Sequence, residues 1–184
     1  TNRAIAARRL HSPSGRATVK LHKLYLEALA SARESVNLIT PYYLPDRRFL
    51  AALLAARKRG VRVRLFLPLR LDHRIMEWAA RAYLRLTKKA GAEVYILPRM
   101  HHGKAMSVDK NFGMVGSVNL TRRGFLFDHE SGVTFNDQKM VRDLNDLFND
   151  WQLGAEPLTE EHMRAHSWWE SFGAWWARRI EKFL

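Results

Sequence analysis

Cysteine is absent from the 184 residues, which removes disulfides and thiolate metal ligands and fits a reducing compartment. No run approaches the roughly 20 apolar residues that a membrane-crossing helix needs. Acidic side chains are scarce at one end: residues 1–100 hold 21 Lys and Arg against 6 Asp and Glu, residues 101–184 hold 10 against 12. The formal net charge of +13 is therefore concentrated in the first half. Such a surface attracts nucleic acid and anionic lipid headgroups alike, or is simply well solvated, and charge alone does not choose. What remains is enough chain for one globular domain with a sizeable core. It begins at Thr1 rather than Met, as a fragment or a processed chain would.

Taken in order, residues 1–16 read as a basic, loop-like lead-in with Arg8-Arg9 and Ser12-Pro-Ser-Gly15. Apolar spacing predicts a helix over 17–33, and Ser35–Thr40 a short strand closed by Pro41. Asp46 is a helix cap for a segment running to about Arg59, with Gly60 just past its end. Residues 61–67 alternate as a strand, which places Arg62 and Arg64 on one face beside Arg57, Lys58 and Arg59. Asp72 caps a third helix that Gly91 stops near Ala90. Strands follow at 93–97, through 102–116 and near 130–135. Asp137 then opens an amphipathic helix ending near Gly154, and a last segment reads as helical to Leu184. This alternation predicts a layered α/β domain, a mixed β-sheet flanked by α-helices, over residues 17–153, with an aromatic-rich helical tail at 154–184.

One stretch carries chemistry. In a strand, residues two apart share a face, so His102 and Lys104 stand side by side; in a helix they lie roughly 200° apart. His-x-Lys alone arises by chance, and a strand histidine is more often a structural residue than a catalyst. Here it continues through Asp109, Gly116-Ser117-Val118-Asn119 and Glu130. That combination resembles the phospholipase D superfamily, whose signature is H-x-K-x4-D, six residues, G-S-x-N and a downstream acid. Thr40-Pro-Tyr-Tyr-Leu-Pro45, Ala55–Pro68 and the aromatic tail extend the similarity, from about Ser14 to Leu184, to the C-terminal catalytic half of bacterial cardiolipin synthases. Two departures concern the acceptor and headgroup: Thr121-Arg122-Arg123-Gly124 stands where those enzymes carry Asp-x-Arg-Ser, and Asp128 where they carry Asn.

The resemblance implies a phosphatidyltransferase acting on anionic phospholipid such as phosphatidylglycerol. His102 attacks phosphorus and forms a phosphohistidine. Glu130 holds the other ring nitrogen, as the carboxylate of a Ser-His-Asp triad does. Lys104, Ser117 and Asn119 hold the phosphoryl oxygens. No metal or other cofactor is expected, since the motif offers no convergent carboxylates. Asp109 enters the catalytic set by resemblance; an odd number of residues from His102, it faces away in a strand and reads as an organiser of backbone or basic groups.

The leaving alkoxide needs a general acid, which the superfamily takes from a second motif. His11, His22, His73 and His162 lack the motif context, and His101 points to the opposite face. The partner is thus a second half, either elsewhere in a longer chain or from a homodimer. Trp168, Trp169, Phe172, Trp175, Trp176, Ile180 and Phe183 recur at helical steps, packing on protein or lying in a membrane interface. The resemblance implies peripheral attachment to the cytoplasmic face of a bacterial inner membrane. Two other readings stand beside it: a single-motif dimeric nuclease or phospholipase, with nucleic acid as partner in the former, and a non-catalytic membrane-binding half-domain.

Overall fold

In a computed structural model, residues 7–11, 18–68 and 74–163 are described. Their order is β1 (Ala7–His11), α1 (Thr18–Ser31), β2 (Ser35–Ile39), β3 (Tyr43–Leu44), α2 (Arg47–Lys58), β4 (Arg62–Pro68), α3 (Arg74–Lys89) and β5 (Glu93–Leu97). Next come β6 (Ala105–Val108), β7 (Phe112–Gly116), β8 (Leu120–Thr121), α4 (Arg122–Leu126), β9 (Ser131–Phe135), α5 (Gln138–Leu153), β10 (Glu156–Pro157) and α6 (Glu160–Met163). Asp72, His73 and the aromatic stripe beyond Met163 lie outside the described residues.

Eight strands form one mixed sheet in the order β1-β9-β7-β6-β2-β4-β5-β10. β2, β4 and β5 run parallel, with α2 and α3 as crossovers; β6, β7 and β9 are antiparallel to their neighbours. The layered α/β expectation matches this architecture. Strand alternation sorts the core into two faces. Val36, Leu38, Val63, Leu65, Met106 and Val108 pack with α1, α2, α3 and α4. Ile39, Phe66, Ala105 and Phe135 pack under Val141, Leu144 and Phe148 of α5.

Local chemistry sets the element ends. Asp46 accepts from the Phe49 N–H at 2.8 Å and Asp137 from the Lys139 and Met140 N–H groups, so both act as helix caps. Gly60 follows α2 at φ +89°, a conformation glycine adopts without a Cβ penalty.

Three expectations differ. The loop-like lead-in contains β1, which pairs antiparallel with β9; its Ala-Arg-Arg-Leu-His pattern is too short and basic to announce an edge strand. The tail begins with β10, paired to β5 through Glu156 and Pro157, where an edge position tolerates proline. Arg62 and Arg64 lie on one face of β4, as alternation requires, but that face is not an open basic surface. Arg62 pairs with Glu93, whereas Arg64 is buried beneath α5 and donates to Asn37 Oδ1 (2.6 Å), Asn149 Oδ1 (2.9 Å) and Gln152 Oε1 (2.5 Å). α5 turns amides rather than apolar side chains toward that point of the sheet, and burial lowers the Arg64 pKa.

Candidate active site

Register brings the motif residues to one end of the sheet. Ala105 opens β6 opposite Ile39 at the end of β2 and Val115 of β7; Gly116 closes β7 opposite Gly132 of β9. His102 and Lys104 lead into β6, Ser117 and Asn119 leave β7, and Glu130 immediately precedes β9. β4 and β5 finish at this same end.

The motif is not one continuous strand. β6 begins only at Ala105, because the Gly103 N–H turns back to Nδ1 of His101 (3.2 Å) instead of joining a ladder. The chain enters the sheet at Lys104, whose carbonyl accepts from the Gly116 N–H at 3.0 Å. The His102 side chain is exposed. His101 packs edge-on against Trp151 of α5, with ring centroids 4.8 Å apart, and burial lowers its pKa.

Lys104 is 8 % exposed, and its ammonium donates to the His102 carbonyl at 2.9 Å. Burial lowers its pKa while the Glu130 charge opposes that shift. Glu130 is 7 % exposed. Burial raises its pKa, the Ser117 hydroxyl lowers it, Asp128 adds to the rise, and Lys104 pulls it down. Each group is thus charged at a cost, and each offsets part of the other's. Tyr25 of α1 lies within this field: burial and then the Glu130 charge push its phenol well above the ordinary range.

The expected bond between Glu130 and the His102 ring is not what the structure forms. Among the described residues the carboxylate is held by the Ser117 hydroxyl, which donates to Oε2. Ser117 and Ser131 exchange bonds where β7 meets β9: the Ser117 N–H donates to the Ser131 carbonyl at 2.9 Å, and the Ser131 N–H to Ser117 Oγ at 3.0 Å. That exchange delivers the hydroxyl to the residue just before Ser131. A Cβ on Gly116 would stand 2.5 Å from the Ser131 carbonyl oxygen, so this approach requires glycine.

Asn119 is half-buried, and its Oδ1 is buried with no hydrogen-bond partner among the described residues. An orphaned acceptor costs about 1–3 kcal/mol, a burden typical of positions built for a ligand rather than for the fold. The residue after it is clamped. The Leu120 N–H donates to Thr40 Oγ1 at 3.2 Å, and Tyr43-Leu44 pair with Leu120-Thr121. Sequence reasoning assigned Thr40 no role, since nothing local links it to a segment 80 residues away.

Asp109, placed in the catalytic set by resemblance, stands at the opposite end of β6. Its carboxylate accepts from the backbone N–H groups of Arg33 (3.1 Å), Glu34 and Ser35 (2.8 Å each), and its own φ is +52°. A strand of four residues spans about 13 Å, so Asp109 does not reach a phosphate at His102; it joins the turn after β6 to the start of β2. Among the described residues no group of three or more His, Asp or Glu is placed to hold a metal.

The family model for the phospholipase D-like domain of cardiolipin synthase matches residues 25–151. The chain belongs to that family, within the phospholipase D superfamily. It is 28 % identical over 165 residues to the minor cardiolipin synthase ClsB of Bacillus subtilis, covering 89 % of this chain and 42 % of that protein. It is 32 % identical over 161 residues to cardiolipin synthase A of Pseudomonas fluorescens, covering 87 % and 34 %. The chain thus spans well under half the length of these relatives. Among solved structures, Nuc of Salmonella typhimurium, a phospholipase D family member, superposes with a TM-score of 0.68 at 25 % identity, over 83 % of this chain and 97 % of that one. Phosphatidylserine synthase of Haemophilus influenzae shares the fold, with a TM-score of 0.75 over 98 % of this chain and 46 % of that one, at 12 % identity.

Proposed function

We propose that this domain is one half of a cardiolipin synthase-like active site and transfers a phosphatidyl group from an anionic phospholipid, such as phosphatidylglycerol, to a lipid hydroxyl. The observation that carries the reading is the convergence of His102, Lys104, Ser117, Asn119 and Glu130 at one sheet end within a domain of that family. His102 is exposed to an incoming phosphodiester. Its imidazole attacks phosphorus, the glycerol alkoxide leaves, and a phosphatidyl-histidine forms. Lys104 and the Asn119 amide stabilise the charge on the non-bridging oxygens. Glu130, tied to Ser117 and close enough to Lys104 to influence its charge, sets the field in which the imidazole becomes cationic. A second lipid hydroxyl then attacks the phosphohistidine.

Protonating the first alkoxide falls to a group outside this motif, supplied by a second half. The relatives that extend far beyond the matched segment support a half within a longer protein. The match to nearly the whole of the Nuc chain supports a second arrangement, two copies around a two-fold axis. Product analysis tests the proposal. Phosphatidylglycerol vesicles incubated with the protein and its second half should yield cardiolipin in excess EDTA, and a His102→Ala protein should yield none. Cleavage of oligonucleotides with no lipid product would replace this reading with the nuclease.

A further inference from the structure

The sheet end that carries the motif also carries an unusual surface. Met100, two residues before His102, is 49 % exposed, and Phe127, three residues before Glu130, is 58 % exposed. These side chains rise from the two segments that flank the site. Basic residues stand on the segments at this end: Arg99, Arg47, Arg48 and Arg123 are exposed, and Arg122 is half-buried. Arg47-Arg48 and Arg122-Arg123 open α2 and α4, and neither helix has an acidic residue in its first turn. At the start of the twelve-residue α2 the cations Arg47 and Arg48 oppose the helix dipole. Asp46, next to Arg47 in the chain, is engaged by His22, and Asp128 by Arg123.

The far end of the sheet is basic too, but many of its cations are used by the fold. Arg57 donates to the Val61 carbonyl, Arg59 to the Leu29 and Ala32 carbonyls, Arg62 to Glu93 and Lys88 to the Leu158 carbonyl. Lys58, Lys89 and Lys110 stay exposed there, so charge alone does not orient the molecule. The far end also exposes one apolar side chain, Leu86, beside Arg85 and Lys89; the motif end differs in exposing two, Met100 and Phe127, on the separate segments that lead to His102 and Glu130. A single-stranded nucleic acid can stack a base on one exposed aromatic ring among cations, whereas an aliphatic methionine paired with the phenylalanine suits a membrane interface, which takes apolar side chains below a ring of cations.

We infer that the motif end of the sheet is a docking face for an anionic lipid bilayer, with Met100 and Phe127 entering its surface and the arginines meeting headgroup phosphates. This rests on the phospholipid reading above and goes further, since it fixes which face meets the membrane: His102 opens onto the lipid and Asp109 points away from it. Burying one Phe or Met side chain corresponds to roughly tenfold in partition.

The absence of cysteine allows one environment-sensitive dye to be placed cleanly. Phe127→Cys, Met100→Cys and, at the other end of α3, the 51 % exposed control Leu86→Cys are each labelled with NBD. They are then mixed with equimolar phosphatidylglycerol–phosphatidylcholine vesicles, phosphatidylcholine vesicles or a single-stranded oligonucleotide. Labels at 127 and 100 should shift to the blue with the anionic vesicles and be quenched by brominated lipid, while the label at 86 should not respond. Unlabelled Phe127→Ser should lower vesicle partition about tenfold with unchanged thermal unfolding. A response at 86 but not at 100 and 127 would overturn the inference, as would a response to the oligonucleotide in place of vesicles. So would a Met100→Ser, Phe127→Ser protein that folds and binds vesicles as before. Because the readout is depth rather than turnover, insertion without phosphatidyl transfer would count against the proposed function alone.

Discussion

Lys104 and Glu130 share a problem: each is nearly closed off from water, and burial works against the charge of both. A methionine at 104 keeps the apolar stem and removes the buried ammonium. Because the variant also leaves the Glu130 charge without the cation that offsets it, Lys104→Met should unfold at a lower temperature than the wild type near neutral pH and close this gap as pH falls, while turnover falls about 10²- to 10³-fold through lost phosphate stabilisation. Thermal unfolding and single-turnover rates measured on one preparation check both halves. For Glu130 the folded pKa lies above the ordinary carboxylate range. Between the two values the folded protein binds more protons than the unfolded chain, so this group's contribution to stability falls as pH rises through that window. Glu130→Gln removes the dependence. Urea midpoints between roughly pH 4 and pH 8 should show the variant gaining on the wild type as pH rises; a gap that shrinks would reverse the assignment. At this scale the motif spacing named the residues that the fold gathers at one sheet end, His102, Lys104, Ser117, Asn119 and Glu130, but grouped with them Asp109, which stands at the other end of β6. It did not hold the Ser117–Glu130 contact, since which donor reaches a carboxylate depends on how β7 meets β9 and not on the spacing of either residue from His102.

Glycine 116 shows how an element holds a site. Its missing side chain lets β7 and β9 close at the end where Ser117 and Ser131 exchange hydrogen bonds. Gly116→Ala must push the two strands apart and carry Ser117 away from Glu130. A displacement of about 1 Å at a catalytic group costs on the order of 10²-fold, so activity should fall by that order while the far end of the sheet, read by amide exchange at Val108 and Phe112, stays protected. Loss of protection throughout would mean that the strain had spread and that Gly116 serves the whole sheet. The long elements were legible from periodicity and caps: α1, α2 and α5 and the parallel strands fall where apolar spacing, Asp46, Asp137 and Gly60 place them. The short edge strands β1 and β10 were not, because a five-residue basic run and a Glu-Pro pair become strands only when a neighbouring edge supplies the hydrogen bonds. The burial of Arg64 was hidden for a related reason. Alternation places it on a face, but only the partner helix determines whether that face meets water or the amides of Asn149 and Gln152.

The molecule as a whole carries one complete motif and is much shorter than the cardiolipin synthases it matches, so ordinary turnover mixes two questions: whether His102 is a nucleophile, and whether a second half is present. A leaving group that departs without a proton separates them. The central measurement mixes the purified domain with a short-chain phosphatidyl ester of p-nitrophenol, follows absorbance through the first turnover, and maps the adduct after alkaline denaturation, which preserves phosphohistidine. The account predicts a burst of p-nitrophenolate close to stoichiometric with the protein, unchanged by EDTA, then a slow phase that quickens only when the second half is supplied. The phosphatidyl group should sit on His102, and His102→Ala should show neither burst nor adduct. A burst that survives in His102→Ala, or an adduct on any other residue, would contradict it.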